Sequence, residues 1–99
     1  MYDIHNTNLR FNWDEAKNRE NIKKHAISFD EAQTAFFDAH AARFFDPDHS
    51  QDEDRFLLLG VSSQLRVLVV SHCYRENDTV IRIISARKAD QHETKDYGR

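Results

Sequence analysis

The chain has 99 residues, of which 39% are hydrophobic and 31% are charged, and its formal net charge is −3. These values predict one domain over residues 1–99 with a modest core, because two domains of half this length would each bury too little apolar surface. The sequence excludes a membrane-spanning helix, which needs roughly 18 consecutive apolar residues, and a disulfide scaffold, since Cys73 is the sole cysteine.

The N-terminal part of the chain predicts a short strand followed by a helix. Residues 1–10 are polar and lack the apolar stretch of a secretory signal, so we expect a cytoplasmic protein. Residues 9–11 are expected to form a short edge strand. Residues 14–25 contain neither Gly nor Pro, begin with acids and end with bases, which favours a helix. Its few apolar residues, chiefly Ala16 and Ile22, place it at the surface.

A second helix is expected to begin at Ser28. Ser28 and Glu31 have the spacing of a capping box, in which each side chain accepts a hydrogen bond from the backbone N–H of the other residue. Phe29, Ala32 and Phe36 recur at helical spacing and should therefore face the core. This helix is expected to end near residue 40.

The second half of the chain predicts strands. Residues 46–50 contain Pro47, which indicates a turn. Ser85 is expected to cap a last helix over residues 86–95. Between the turn and that helix, three segments rich in β-branched and apolar residues predict strands joined by links short enough for hairpins: residues 56–61, 66–74 and 79–85.

The order of these elements predicts an α+β fold. Two N-terminal helices should pack on one face of an antiparallel β-sheet meander, followed by a short C-terminal helix. Because the strands carry apolar residues on both faces, the opposite face of the sheet should be partly apolar, with arginines at its margins.

Charge is distributed unevenly along the sequence. Residues 55–88 contain six basic residues against two acidic ones, whereas residues 46–54 contain five acidic residues and no basic one apart from His49. A basic sheet within an acidic chain is able to meet phosphate locally. The alternative is that surface charges are scattered without functional meaning.

Several kinds of chemistry are not indicated. The chain has two glycines, so a glycine-rich nucleotide-binding loop is excluded. The six histidines never occur four residues apart on a helix, so the sequence gives no metal-ligand pattern. We therefore expect neither a cofactor nor a metal.

What remains is a set of polar residues suited to cleaving a phosphodiester. Cutting RNA through its own 2′-hydroxyl needs a base for the hydroxyl proton, cations for the charge that builds on phosphorus, and an acid for the leaving oxygen. Arginine suits the second task because its planar group grips phosphate through two hydrogen bonds. The candidates are Lys24, His25, Glu53, Arg55, Arg82 and Arg87.

These candidates also have structural explanations. Lys24 and His25 lie at the end of a predicted helix, where cations complement the helix dipole. Glu53 can pair with the nearby Arg55 in solvent. Arg82 lies among four aliphatic residues, where a cation must find a partner or line a site, because burying it alone costs several kcal/mol.

Arg82 and Arg87 raise a question of strand geometry. They are five residues apart, so an unbroken strand would place them on opposite faces of the sheet. They converge if the strand ends near Ser85 and the chain turns, which places Arg87 in the first turn of the last helix. We adopt that expectation.

These residues together resemble a known family, the BrnT toxins. The opening signature is Phe11-x-Trp13-Asp14-x-x-Lys17-x-x-x-Asn21-x-x-Lys24-His25, followed by Ser28-Phe29 and Ala32. Later matches are Glu53-x-Arg55, Gly60-x-Ser62, Arg66-x-Leu68, Arg82-Ile83-Ile84-Ser85-Ala86-Arg87-x-Ala89 and the segment from Glu93 to Tyr97. The resemblance covers about residues 9–97, almost the whole chain.

The resemblance implies a RelE-like fold and a ribonuclease that arrests growth. It also implies an antitoxin, BrnA, that binds the toxin and represses their shared operon through a DNA-binding domain. On the matched positions, Lys24, His25 and Glu53 become acid–base candidates. Arg55, Arg82 and Arg87 become candidates for binding phosphate and stabilising the transition state.

Two hypotheses of function follow. The first is a metal-independent endoribonuclease that acts through the 2′-hydroxyl of RNA and is inhibited by its antitoxin in a hetero-oligomer. The second is a non-catalytic module that docks a DNA-binding partner, which the modest core and partly apolar sheet face fit equally well.

Overall fold

The computed structural model describes residues 9–98, and within them it is an α+β fold with a five-stranded sheet. The expected absence of a signal at residues 1–10 falls largely on residues outside this range. In the described part, no helix has both the length and the apolarity to cross a bilayer. In chain order the elements are β1 (Arg10–Asn12), α1 (Glu15–His25), α2 (Phe29–Thr34), β2 (Ala42–Phe45), β3 (Phe56–Val61), β4 (Val67–Arg75), β5 (Val80–Lys88) and α3 (Gln91–Asp96).

The sheet is mixed, with the strand order β1-β5-β4-β3-β2. Strands β2 to β5 run antiparallel to their neighbours, which confirms the meander, but β1 pairs with β5 in parallel. The prediction of a purely antiparallel sheet is therefore wrong at this edge. A helix, rather than a hairpin, follows β1, so local sequence does not fix its direction. Strand β2, which the sequence did not reveal, forms the other edge within residues 9–98.

The core lies between one sheet face and residues 27–36, which include α2. Phe29, Ala32 and Phe36 are fully buried, as their spacing predicts, and they pack against aliphatic residues of β3, β4 and β5. Trp13 adds an edge-to-face contact with Phe29, 6.0 Å between ring centroids. Gly60 permits close packing, since a Cβ there would lie 2.9 Å from the Ala35 carbonyl oxygen.

The second helix differs from its expected form in two respects. It ends at Thr34, and the chain continues as a 3₁₀ turn at Ala35–Phe37 rather than as helix to residue 40. The capping box is half formed: the Ser28 hydroxyl accepts the Glu31 N–H at 3.0 Å. The Glu31 carboxylate turns instead to Ser62 and Arg66.

The last strand and helix also differ from expectation. Strand β5 continues to Lys88, since Ala86 and Lys88 still pair with β4. The final helix begins at Gln91 and is capped by Asp90, which forms a complete capping box with Glu93. Ser85 is therefore not a helix cap, and the placement of Arg87 in a helix is wrong.

His72 lies fully buried on the helix-facing side of β4. Its Nδ1 lies 3.0 Å from the Val70 carbonyl oxygen, which only accepts, so Nδ1 carries the proton. The Tyr74 hydroxyl then donates to Nε2 at 3.3 Å and accepts from Arg43 Nη1 at 3.1 Å. Burial, with a smaller contribution from the Arg43 charge, lowers the pKa of His72 to about 4, although its bond to Val70 opposes this shift.

This buried histidine predicts an acid-sensitive fold. The unfolded chain binds a proton at His72 near pH 6.5, whereas the folded chain does so only near pH 4, so stability falls as the pH drops between these values. We expect the free energy of unfolding, measured with urea, to be about 2 kcal/mol lower at pH 5 than at pH 7.5. The matched variant His72→Phe should lose this part of the slope. An equal slope in both proteins would contradict the assignment.

Candidate active site

A bulge in β5 settles which face Arg82 and Arg87 occupy. Ser71 pairs with Ser85 and His72 pairs with Ile83, so Ile84 is left without a partner on β4. Arg82 and Arg87 consequently oppose Cys73 and Val69, which are four residues apart and share one face. Arg82 and Arg87 therefore share one face because of a bulge within the strand, and the expectation that the strand ends near Ser85 is wrong.

We call this side the arginine face; it is the sheet face opposite the helix core. Its central residues, Val69 and Cys73, are buried, and Arg82 and Arg87 lie beside them on β5. Arg82 Nη1 donates to the Asn12 carboxamide oxygen at 3.3 Å. Ile81 and Ile83, on either side of Arg82, point the other way, into the core, which explains a cation between isoleucines. The face is therefore apolar at its centre with arginines around it, as the strand pattern predicts.

Glu53 brings Arg55 to the same face. Its carboxylate accepts from Arg75 Nη1 at 2.6 Å and lies 3.5 Å from Arg55 Nε. Hydrogen bonds from Arg75 and then from the Cys73 thiol lower the pKa of Glu53, so it is held ionised. The Arg55 contact lacks hydrogen-bond geometry, and its buried Nε has no hydrogen-bond partner among the described residues.

Arg87 is held by a carboxylate on α3. Its two terminal nitrogens donate to the two oxygens of Glu93 at 2.7 and 2.9 Å. These bonds hold the pKa of Glu93 at about 2. The planar fork of Arg87 is thus already arranged to bind two oxygens of one anionic group.

Lys24 and His25 line a shallow groove at the free edge of β5, with a volume of ≈ 250 Å³. Both side chains are exposed, and neither makes a hydrogen bond or ion pair with the described residues. Helix α1 supplies one wall, and Ile84 and Ser85 at the bulge supply the other. The groove is lined by Lys17, Glu20, Asn21, Lys24, His25, Ile84 and Ser85.

The structure therefore arranges the six candidates in three groups. Arg82 and Arg87 share the arginine face, and Glu53 joins Arg55 to it through Arg75 and Cys73. Lys24 and His25 do not contact these residues directly. Ser85 links the groups, because it follows the bulge on the arginine face and also lines the groove.

Sequence reasoning missed two residues of this arrangement. Arg75 is one of the six basic residues in residues 55–88 but is not among the candidates. Its hydrogen bond to Glu53 places it with Glu53 and Arg55 at the arginine face. Ser85 was interpreted only as a helix cap. Its position two residues after Ile83 gave no indication of the bulge, which depends on pairing with β4.

Known proteins of one family are similar to this chain in sequence and in structure. Residues 13–93 match the family described as the ribonuclease toxin BrnT of type II toxin–antitoxin systems. The chain is also similar in structure to the ribonuclease toxin BrnT of Brucella abortus, known from a 1.1 Å crystal structure. That similarity has a TM-score of 0.64 at 25% identity and covers 84% of this chain and 99% of the other. No curated protein has a matching sequence.

The fold and the sequence match together define a ribonuclease toxin of a type II toxin–antitoxin system. More particularly, the chain belongs to the BrnT family, since the match spans most of its length. The resemblance noted from the sequence is thereby confirmed, and the protein is an enzyme of the ribonuclease class.

Proposed function

We propose that the protein is an endoribonuclease whose active site lies between the α1 groove and the arginine face. The observation that carries the proposal is the bulge at Ile84, which places Arg82 and Arg87 on one face. Ser85, beside them, also lines the groove that holds Lys24 and His25. The acid–base candidates and two of the phosphate-binding candidates thus both lie beside the part of β5 between Arg82 and Arg87.

The arginines are suited to the phosphate. A phosphodiester attacked by a 2′-oxygen gathers negative charge on its non-bridging oxygens, and fixed cations stabilise that charge more than they stabilise the ground state. Among the described residues Arg82 has a single long bond, to Asn12, so its guanidinium has donors to spare. The Arg55 side chain is 30% exposed beside the Glu53 carboxylate. Arg87 would exchange Glu93 for a phosphate of similar geometry.

Lys24 and His25 are suited to proton transfer. In the proposed reaction one group removes the proton of the 2′-hydroxyl while its oxygen bonds to phosphorus. Another group donates a proton to the 5′-oxygen as the bond from phosphorus to that oxygen breaks. An imidazole can accept and donate protons near neutral pH, and an ammonium can donate. Both side chains are exposed and without protein partners among the described residues, so substrate can reach them.

Glu53 is proposed for a supporting task. A carboxylate whose pKa is lowered binds a proton weakly, which makes it a poor base for a hydroxyl. Its contacts with Arg75 and Arg55 instead hold these cations at the arginine face. We therefore place Glu53 in the site as the residue that orients the arginines.

The 2′-hydroxyl route predicts a reaction that needs no metal ion. Purified protein should cleave a single-stranded RNA in the presence of EDTA and leave 5′-hydroxyl and 2′,3′-cyclic phosphate ends. A matched RNA with 2′-deoxy nucleotides should resist cleavage. Loss of activity in EDTA that Mg²⁺ restores, or 5′-phosphate products, would contradict the mechanism.

Family membership also supports a protein partner. We propose that a BrnA-like antitoxin with a DNA-binding domain binds this toxin in a hetero-oligomer and blocks its activity, and that the fold is related to RelE. Co-expression with the antitoxin gene should relieve growth arrest caused by the toxin alone. Growth arrest that persists at equal antitoxin levels would count against inhibition by that partner.

A further inference from the structure

We propose that Asn21 is a positioning residue: its side-chain amide fixes the end of α1 against the bulged part of β5 and so sets Lys24 and His25 relative to Ser85 and the arginines. This inference rests on the proposed function. It concerns a residue that touches no reacting group and acts through the backbone of two elements.

The hydrogen bonds of Asn21 are unusually complete for a helix side chain. It is only 6% exposed. Its Nδ2 donates to the Ala86 and Ile27 carbonyl oxygens, each at 2.8 Å. Its Oδ1 accepts the Ala86 N–H at 3.1 Å. Both backbone groups of Ala86 are therefore satisfied by one amide.

Asn21 supplies the hydrogen bonds that a neighbouring strand would otherwise supply to this edge of β5. Strand β1 pairs with β5 only as far as Arg82. Beyond it, none of the described strands adjoins this edge, although β5 continues to Lys88. Both backbone groups of Ala86 face this unpaired edge, so they need other partners. The Asn21 amide supplies them and holds the segment just after the bulge, where Arg87 follows on the arginine face.

The same amide fixes the acid–base groups. Lys24 and His25 lie three and four residues after Asn21, on the adjoining turn of α1. The bond to Ile27 holds the chain just after the helix, where Ala26 adopts a left-handed conformation with φ of 59°. Both the last turn and its exit are thus tied to β5. Since catalysis depends on placement within about 1 Å, loosening this tie should slow the reaction without removing any catalytic group.

Asn18 provides a matched control on the same helix. It is 4% exposed, and its amide makes two hydrogen bonds, against three for Asn21. Its Nδ2 donates to Glu15 within α1 at 2.8 Å, and its Oδ1 accepts the Phe29 N–H of α2 at 2.8 Å. Neither bond reaches β5. Loss of Asn18 should therefore destabilise the fold while leaving the site in place.

The test compares Asn21→Ala and Asn21→Asp with Asn18→Ala by steady-state RNA cleavage, at a temperature where circular dichroism shows each protein folded. We expect kcat of the Asn21 variants to fall roughly 10- to 100-fold with KM within about two-fold. Asn18→Ala should keep kcat within about two-fold although its Tm falls.

Two results would overturn the inference. One is a kcat for the Asn21 variants equal to that of Asn18→Ala. The other is failure of both Asn21 variants to fold while Asn18→Ala folds, because Asn21 would then be structural. Wild type and Arg82→Ala are measured in the same assay: no cleavage by wild type, or full activity of Arg82→Ala, would count against the proposed function itself.

Discussion

Replacing Arg82 with alanine should lower kcat/KM for RNA cleavage by roughly 100-fold or more, with the fold intact. The side chain lies on the arginine face, and its one hydrogen bond within residues 9–98, to Asn12, is long and exposed. Its removal therefore costs little stability. If the guanidinium stabilises charge on the attacked phosphate, the loss falls on the transition state, and kcat falls more than KM rises.

Two further variants separate this effect from simple charge attraction. Arg82→Lys keeps the charge and loses the planar fork, so it should recover only part of the activity. Arg10→Ala removes an equal charge from β1, where Arg10 pairs with Glu76 at 3.5 Å in solvent. It should change activity less than about three-fold at physiological salt. Equal losses for Arg10→Ala and Arg82→Ala would reduce the role of Arg82 to general attraction for RNA.

The elements of this fold follow closely from local sequence patterns. Strand β3 has the bounds that its apolar run predicts, and α1 begins one residue after the expected start because Asp14 is its cap. The burial of Phe29 and Phe36 follows from helical spacing alone. These features are local, so a single sequence contains the information that sets them.

The errors concern contacts between distant residues. The parallel pairing of β1 with β5 joins residues about seventy positions apart. The short strand β2 lies directly before the turn at Pro47, and the sequence predicted the turn but not the strand. The last helix is capped by Asp90 and not by Ser85, because residues 86–88 form backbone hydrogen bonds with β4 as part of β5. Which strand pairing or helix cap forms therefore depends on contacts across the whole fold.

The candidate site also combines features that local sequence predicts with features that depend on distant contacts. Residue types and family resemblance selected the six candidates, but strand alternation alone would have separated Arg82 from Arg87. The bulge at Ile84 reverses that result, and its position depends on β4 and on Asn21 of α1. The sequence thus supplied the candidate residues, whereas the face that each arginine of β5 occupies depends on the register of β5 with β4 and on the contact of α1 with β5.

Arg66→Ala should lower the free energy of unfolding several-fold more than removal of an exposed ion pair does, because it leaves the buried Glu31 carboxylate without its cation. Arg66 Nε donates to Glu31 Oε2 at 2.9 Å, a second nitrogen meets the other oxygen, and the Glu31 side chain is 3% exposed. Without Arg66 the buried carboxylate keeps only the Ser62 hydroxyl among these partners, and its pKa, which Arg66 holds down, should rise.

Urea unfolding at pH 7.5 measures this loss, and the pair Arg75–Glu53 supplies the comparison. That pair has a 2.6 Å contact, but its side chains are 42% and 32% exposed, so Arg75→Ala should cost less than about 1 kcal/mol. In Arg66→Met with Glu31→Leu, no charge is left buried, and much of the loss should be recovered. Burial of the carboxylate, rather than contact distance, then decides what each ion pair contributes. Equal losses for Arg66→Ala and Arg75→Ala would refute that explanation.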